Sequence, residues 1–198
     1  MDETVQKVRD FHGHLCAGVT IGIRAAQIAL REIGPHSADE EVVAIVETDM
    51  CAVDAIQMLT GCTFGKGNLI HLDYGKNAYT FIRRSDGHAI RIISRPDGWP
   101  DDNPERQTLL ERIKLGSASE VEQKRYWELQ EERALAVLDL PEAQLFDVRQ
   151  VAADVPKRAR LNASVTCEEC RETTMETRIR RFDGRNLCIP CFEKAEAR

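Results

Sequence analysis

Apolar residues at Ile21, Ile23, Ala25, Ala26, Ile28, Ala29 and Ile33 crowd one helical turn after another from Val19 onward, and Gly34 and Pro35 stop the run. This pattern predicts a largely buried helix. Val42, Val43, Ala44, Ile45 and Val46 follow without alternation, as a strand covered on both faces requires. Helical spacing returns over 49–59 and ends at Gly61. Three further strands are predicted over 69–72, 78–83 and 88–94, the last two joined as a hairpin by Ser85, Asp86 and Gly87. Prolines 96, 100 and 104 mark 95–104 as loop. Residues 105–115 read as a helix, and Ser119 with Glu122 has the form of a capping box opening a longer helix to about Leu138. Alternation over 145–151 predicts one more strand.

With 198 residues and 42% apolar content, the chain can build one ordinary core and a small appendage. No apolar run approaches the ~18 to 20 residues of a membrane span, and Asp2, Glu3, Lys7 and Arg9 replace the apolar stretch of a secretion signal. Seven cysteines, four of them in C-x2-C pairs, fit metal thiolates in a reducing compartment better than a disulfide framework. A cytoplasmic protein is expected, with no membrane partner. The net charge of −6 is uneven, since 155–198 carries 10 Lys+Arg against 7 Asp+Glu and the rest 17 against 26. Four thiolates around a divalent ion lower the tail from +3 to about +1. That and the acidic body argue against nucleic acid as the main partner, Arg178, Arg180, Arg181 and Arg185 forming only a local basic patch. Asp154, Pro156 and the basic stretch to Arg160 read as a linker, dividing a body over 1–154 from a module over 155–198.

Cys167 and Cys170, then Cys188 and Cys191 after seventeen intervening residues, have the spacing of two thiolate pairs closing on one structural zinc ion. Asp183-Gly184 is expected to turn a hairpin between them, and Cys188 to lead into a closing helix. So small a module has too little core to fold without its metal.

The other three cysteines keep different company. In Phe11-His12-Gly13-His14-Leu15-Cys16, two imidazoles and a thiol alternate just before a helix, and an extended backbone would point all three to one side. Cys16 near a helix N-terminus has its thiolate favoured by the dipole. Cys51 follows a predicted strand and opens a predicted helix, where a nucleophilic or ligating thiol is often displayed. Cys62 lies three helical turns on and is the weaker candidate. Gly65-Lys66-Gly67-Asn68 lacks the remaining glycine and the Ser/Thr of a phosphate loop. His71 and Asp73 share a strand face, and Lys76 follows.

Taken together, these residues resemble the family of the formylmethanofuran dehydrogenase E-subunit. The matching pieces are Phe11 to Cys16 with Gly18 and Gly22, Glu47-Thr48-Asp49-Met50-Cys51 with Asp54 to Gln57, and Thr60 to Asn68 with Asp73, Gly75 and Lys76. They span roughly 5–83, and the likeness extends more loosely to 145–148 and to the zinc finger. Ala17 stands where the family motif usually has proline. The resemblance implies a thioredoxin-like α+β core, with a mixed β-sheet of about five strands flanked by helices, and a small C-terminal treble-clef zinc finger. It also implies a metal-binding site around the His/Cys motif. In some genomes it implies association with the molybdenum or tungsten enzyme that reduces carbon dioxide to a formyl group on methanofuran.

The chain has no room for a pterin domain and no cluster-binding cysteine run, so it is not that enzyme's catalytic subunit. Three readings follow. In the first, His14, Cys16 and Cys51 bind zinc or another divalent metal, with His12, Cys62 or water completing the shell. Lys66, Asp73 and Lys76 orient an anionic ligand, and the protein is an accessory subunit or a zinc-dependent enzyme. In the second it is an adaptor, docking a larger redox enzyme through the finger and the charged helices over 105–138, with Tyr126 and Trp127 as anchors. The third is thiol redox chemistry at Cys16 and Cys51, which needs their sulfurs within bridging distance. The exposed acidic helix pair on such a core favours a homodimer.

Overall fold

The computed structural model describes residues 2–98 and 103–197, so part of the expected 95–104 loop lies outside the described residues. The chain forms two compact units, a body up to Arg158 and a tail from Ala159.

The body begins with α1 (Glu3–His12) and α2 (Ala17–Glu32), followed by β1 (Val42–Val46), α3 (Ala52–Thr60), β2 (Leu69–His71), β3 (Ala78–Arg83) and β4 (Ala89–Ser94). It continues through α4 (Pro104–Lys114), α5 (Glu120–Asp139), the short α6 (Glu142–Leu145) and β5 (Phe146–Gln150). The strands make one mixed sheet in the order β2-β1-β3-β4-β5. β1 pairs parallel with β2 across the α3 crossover, with Ala44 opposite Leu69, and every other pairing is antiparallel. The α+β class and the five-stranded mixed sheet are therefore as the family resemblance implies.

The unbroken apolar run of β1 has its explanation in two cores. Val42, Ala44 and Val46 face one core with Ile21, Ala25 and Ile28 of α2, Ile56 of α3, and Tyr79 and Phe81 of β3. Val43 faces the other, with Ile82, Ala89 and the partly buried Ile45, Ile70 and Val151. Fully burying each Ile of α2 stabilises the fold by roughly 1.5 to 3 kcal/mol. The capping box at Ser119 and Glu122 forms as expected and starts α5.

Gly22 decides how α2 and α3 cross. A methyl group there would meet the Ala52 carbonyl oxygen at 2.2 Å and the Ala52 Cα at 2.7 Å, so only glycine allows this approach. Gly18, one turn earlier on the same face, lies against Cys51. The two glycines thereby set the N-terminus of α3 onto the first turns of α2.

The tail contains β6 (Ser164–Thr166), β7 (Thr173–Met175), β8 (Ile179–Phe182), β9 (Arg185–Cys188) and α7 (Ile189–Glu196). β6 pairs with β7 and β8 with β9, both antiparallel. Asp183 and Gly184 turn the second hairpin, both at positive φ (48° and 76°), as a two-residue turn between right-twisting strands demands. Among the described residues no helix is long and apolar enough to cross a membrane.

Candidate metal centre

Helix α1, which carries few apolar positions, ends at His12, and Gly13 closes it in the left-handed conformation with its N–H on Arg9 O at 2.8 Å. The chain turns at once into α2, whose N-cap is Cys16. The cluster is thus built on a helix-turn-helix corner and not on an extended segment. A ring nitrogen of His12, a ring nitrogen of His14 and the Cys16 sulfur lie within 4.8 Å of one another.

His12 carries the decisive detail. Its Nδ1 lies 2.7 Å from the Asp54 carboxylate on α3, a bond that places the proton on Nδ1 and leaves the Nε2 lone pair available. Nε2 is buried without a hydrogen-bond partner. An orphaned imidazole nitrogen whose other nitrogen is held by a carboxylate is the arrangement of a metal-ligating histidine. The Cys16 sulfur accepts the Val19 N–H at 3.4 Å, at the helix end where negative charge is favoured. The His14 ring stands 4.6 Å from that of His12 and meets the edge of Trp127 at 5.3 Å. Burial, then the neighbouring His12, pushes its pKa down, so the neutral, ligating form is favoured.

Cys51 stands beside this trio. A methyl group on Gly18 would lie 3.8 Å from the sulfurs of both Cys16 and Cys51, so the two thiols flank that glycine. Burial first, and then the Cys16 sulfur, raise the Cys51 pKa. Glu47, ahead of Cys51, is buried and clasped by Arg91 at 2.7 and 2.8 Å, which fixes the strand end from which the Cys51 turn departs.

The remaining candidates are dispersed. Cys62 is fully buried in the core against α2, its thiol donating to Val42 O at 3.5 Å, and burial raises its pKa. Lys66 donates to Ser37 O at 2.8 Å, beyond the far end of α3 from Cys51. Asp73 and Lys76 are exposed after β2, with the Lys76 N–H on Glu47 O at 2.8 Å and its ammonium 5.7 Å from the Tyr74 ring centre. Tyr126 is buried, whereas Trp127 is about half exposed. Asp54, the residue that orients His12, is not one that sequence reasoning singles out. It is present in the Asp54 to Gln57 motif, but nothing in that motif says which side chain it meets.

In the tail, the sulfurs of Cys167, Cys170, Cys188 and Cys191 lie within 4.8 Å of one another, with Cys170 and Cys188 at 3.8 Å. The Cys188 N–H donates to the Cys167 sulfur at 3.3 Å and draws its pKa down to about 6.

A family model described as FmdE, molybdenum formylmethanofuran dehydrogenase operon, matches residues 11–147. The chain belongs to the FmdE family. In this FmdE-family chain a second model, the prokaryotic dksA/traR C4-type zinc finger, matches residues 162–197 and so covers all four tail cysteines. A probable S-adenosyl-L-methionine-binding protein of Archaeoglobus fulgidus is 34% identical over 197 residues, 93% of this chain and 51% of that protein. The chain spans about half the length of this curated relative. In fold it is similar to a tungsten formylmethanofuran dehydrogenase FmdE-like protein from Syntrophus aciditrophicus. That likeness has a TM-score of 0.61 at 24% identity and covers 99% of this chain and 94% of the other.

Proposed function

We infer that His12, His14 and Cys16, with Cys51 at their edge, are the ligand set of a divalent metal, with zinc the best fit. The observation that carries this is the buried, unpartnered Nε2 of His12, held ready by Asp54. Two imidazoles with one or two thiolates suit zinc or another borderline-soft ion. Bound there, such an ion supplies Lewis acidity and, where a coordination position stays open, an activated water. The chain's own residues contribute the rest. Asp54 keeps the His12 proton on Nδ1, and Gly18 lets Cys51 approach Cys16. Phe11, Met50 and Trp127, more than half exposed beside His12, Cys51 and His14, favour the apolar part of a ligand or partner. Lys76, on the same end of the sheet as Cys51, is placed to meet its anionic part.

The tail thiols hold a second, structural zinc in a treble-clef finger. Family membership supports an accessory role beside a larger molybdenum or tungsten formylmethanofuran dehydrogenase, with a thioredoxin-like body that pairs as a homodimer. A second reading rests on one specific observation, the Cys16 and Cys51 thiols side by side at Gly18. An external disulfide can take their two electrons and two protons and leave them bridged.

Metal content decides between the two. Protein produced with zinc should carry two ions per chain, falling to one in the His12→Ala, Cys16→Ser double variant while the tail keeps its own. A wild-type chain that never holds more than the tail's ion, and whose Cys16 and Cys51 are recovered as a disulfide, sinks the metal reading and leaves the redox one.

A further inference from the structure

We propose that the body carries a second ligand site, remote from the metal centre, for a small amphipathic anion: an organic phosphate monoester or carboxylate with an apolar body. The site is a cavity of about 580 Å³ where α2 ends and β1 begins, within the ordinary size of a small-molecule pocket. Its apolar wall comes from Ile33, Val42 and Val155, and its basic wall from Arg83, Arg84 and Arg158. The sixteen residues of α2 separate it from Cys16, about 24 Å at the helical rise. It therefore stands or falls independently of the metal reading.

The charges around the cavity are unequally satisfied. Arg83 is neutralised by Asp86 at 2.7 Å and also donates to Ile33 O at 2.7 Å. Glu41, the acid in the wall, already accepts from the Ser37 hydroxyl at 2.8 Å and the Asp39 N–H at 3.0 Å. His36 Nδ1 faces Leu59 O at 3.0 Å and is spent there as a donor.

Arg84 differs. Its side chain is more than nine-tenths buried, with one terminal nitrogen on Pro156 O and the other reaching Glu40 at 3.3 Å, yet its Nε is buried with no acceptor. A buried N–H without an acceptor is costly, even on a guanidinium whose terminal nitrogens are bonded, and an acceptor arriving from outside removes that cost. Arg158 is exposed at the rim, able to close on a second oxygen of the same anion. Apolar wall and guanidinium wall together select a ligand with an apolar body and an anionic head, not a bare ion.

The test is an amide chemical-shift titration of the zinc-loaded full chain with phenyl phosphate, benzoate and, as the neutral shape control, benzyl alcohol. Phenyl phosphate or benzoate should saturate shifts at Gly34, Ser85 and Val155, the better of the two identifying the headgroup. Benzyl alcohol should bind at least tenfold more weakly. Arg158→Glu, at an exposed position that leaves the fold alone, should weaken the anion at least tenfold, and Val155→Glu should do the same from the apolar wall. The proposal is overturned if no anion saturates these amides. It is equally overturned if the shifts concentrate at His14 and Cys51, or if both variants bind as wild type does.

Discussion

Body and tail both gather sulfur, the body beside the turn at Gly13 and the tail around the hairpin at Gly184, yet they stand in opposite relations to their candidate ligand sets. In the tail, the cluster of buried and packed apolar residues is Leu187 with Phe182, Phe192 and three of the four cysteines, Cys167, Cys188 and Cys191. Remove the metal there and nothing comparable remains to hold the strands. In the body, two apolar cores exist without any help from His12, His14 or Cys51, and a further cluster, with Val5, Val8, Val19 and Ile23, includes Cys16 and has Cys51 packed against it. Thiol ligation is a condition of folding in the tail, whereas the ligation proposed for the body would be added to a fold that its apolar cores already hold.

The largest break in that comparison comes from the tail. Cys167→Ser removes a buried ligand from a unit whose folding free energy is its zinc-binding free energy, on the order of 10 kcal/mol. Limited trypsin digestion should cut throughout 159–198, at Arg171, Arg178 and Arg185, while the body keeps both its thermal midpoint and its metal. Loss of the body's metal in this variant would contradict the division into two independent sites.

Gly22→Ala attacks the body at the α2–α3 crossing that sets Cys51 near Cys16. The added methyl group falls on backbone, which cannot swing aside as a side chain could, so α2 and α3 must separate at a cost of about 3 kcal/mol. The expected readout is a body that melts about 10 °C lower and has lost its metal, beside an unaffected finger. Full metal content would mean that the crossing does not control the approach of Cys51 to Cys16.

A smaller effect belongs to Asp54→Asn, which keeps the shape of the side chain but frees the His12 ring to turn or to change tautomer. Orienting carboxylates of this kind are worth 10- to 100-fold in metal affinity. A competition titration with a chromophoric chelator should show that loss in the body alone, with the thermal midpoint of the metal-free protein unchanged.

These residues also show what the chain makes legible. Elements with a dense apolar pattern, such as the periodic Ile21 to Ile33 face and the unbroken Val42 to Val46 run, are written in the order of residues, and so are the four tail cysteines, because local spacing alone prescribes their chemistry. Helix α1 is not, since only Val5 and Val8 on it are buried, too few to set a period. β6 and β7 are three-residue strands held by their ladder with little burial behind it. Asp54 meets His12 across 42 residues, and Trp127 meets His14 from a helix whose sequence has no strong apolar stripe. Both contacts exist only because α1, α3 and α5 are brought together by tertiary packing, so neither residue advertises its role. Conversely, Cys62 and Lys66 sit within a recognisable motif, yet the first is spent in the core and the second on a loop carbonyl.

Acid should separate the two units and exposes the smallest effect. Zinc release from thiolates is proton-coupled, so the finger should fail first as the pH is lowered. The body's turn is held differently. The Arg83 guanidinium, and after it the His88 N–H, draw the Asp86 carboxyl from its ordinary 3.8 down to about 2. A carboxyl depressed on folding means that the unfolded chain binds more protons in this interval, so the turn's contribution is complete above 3.8 and is lost as the pH falls through about 2. The pair is solvent-exposed and its effect is correspondingly slight. Asp86→Asn should flatten the body's stability against pH between 4 and 2 in a urea titration and leave it unchanged in slope above 5. A variant whose acid limb is as steep as that of wild type would assign the limb to other carboxylates, with Glu41, lowered chiefly by the Ser37 hydroxyl, as the next to substitute.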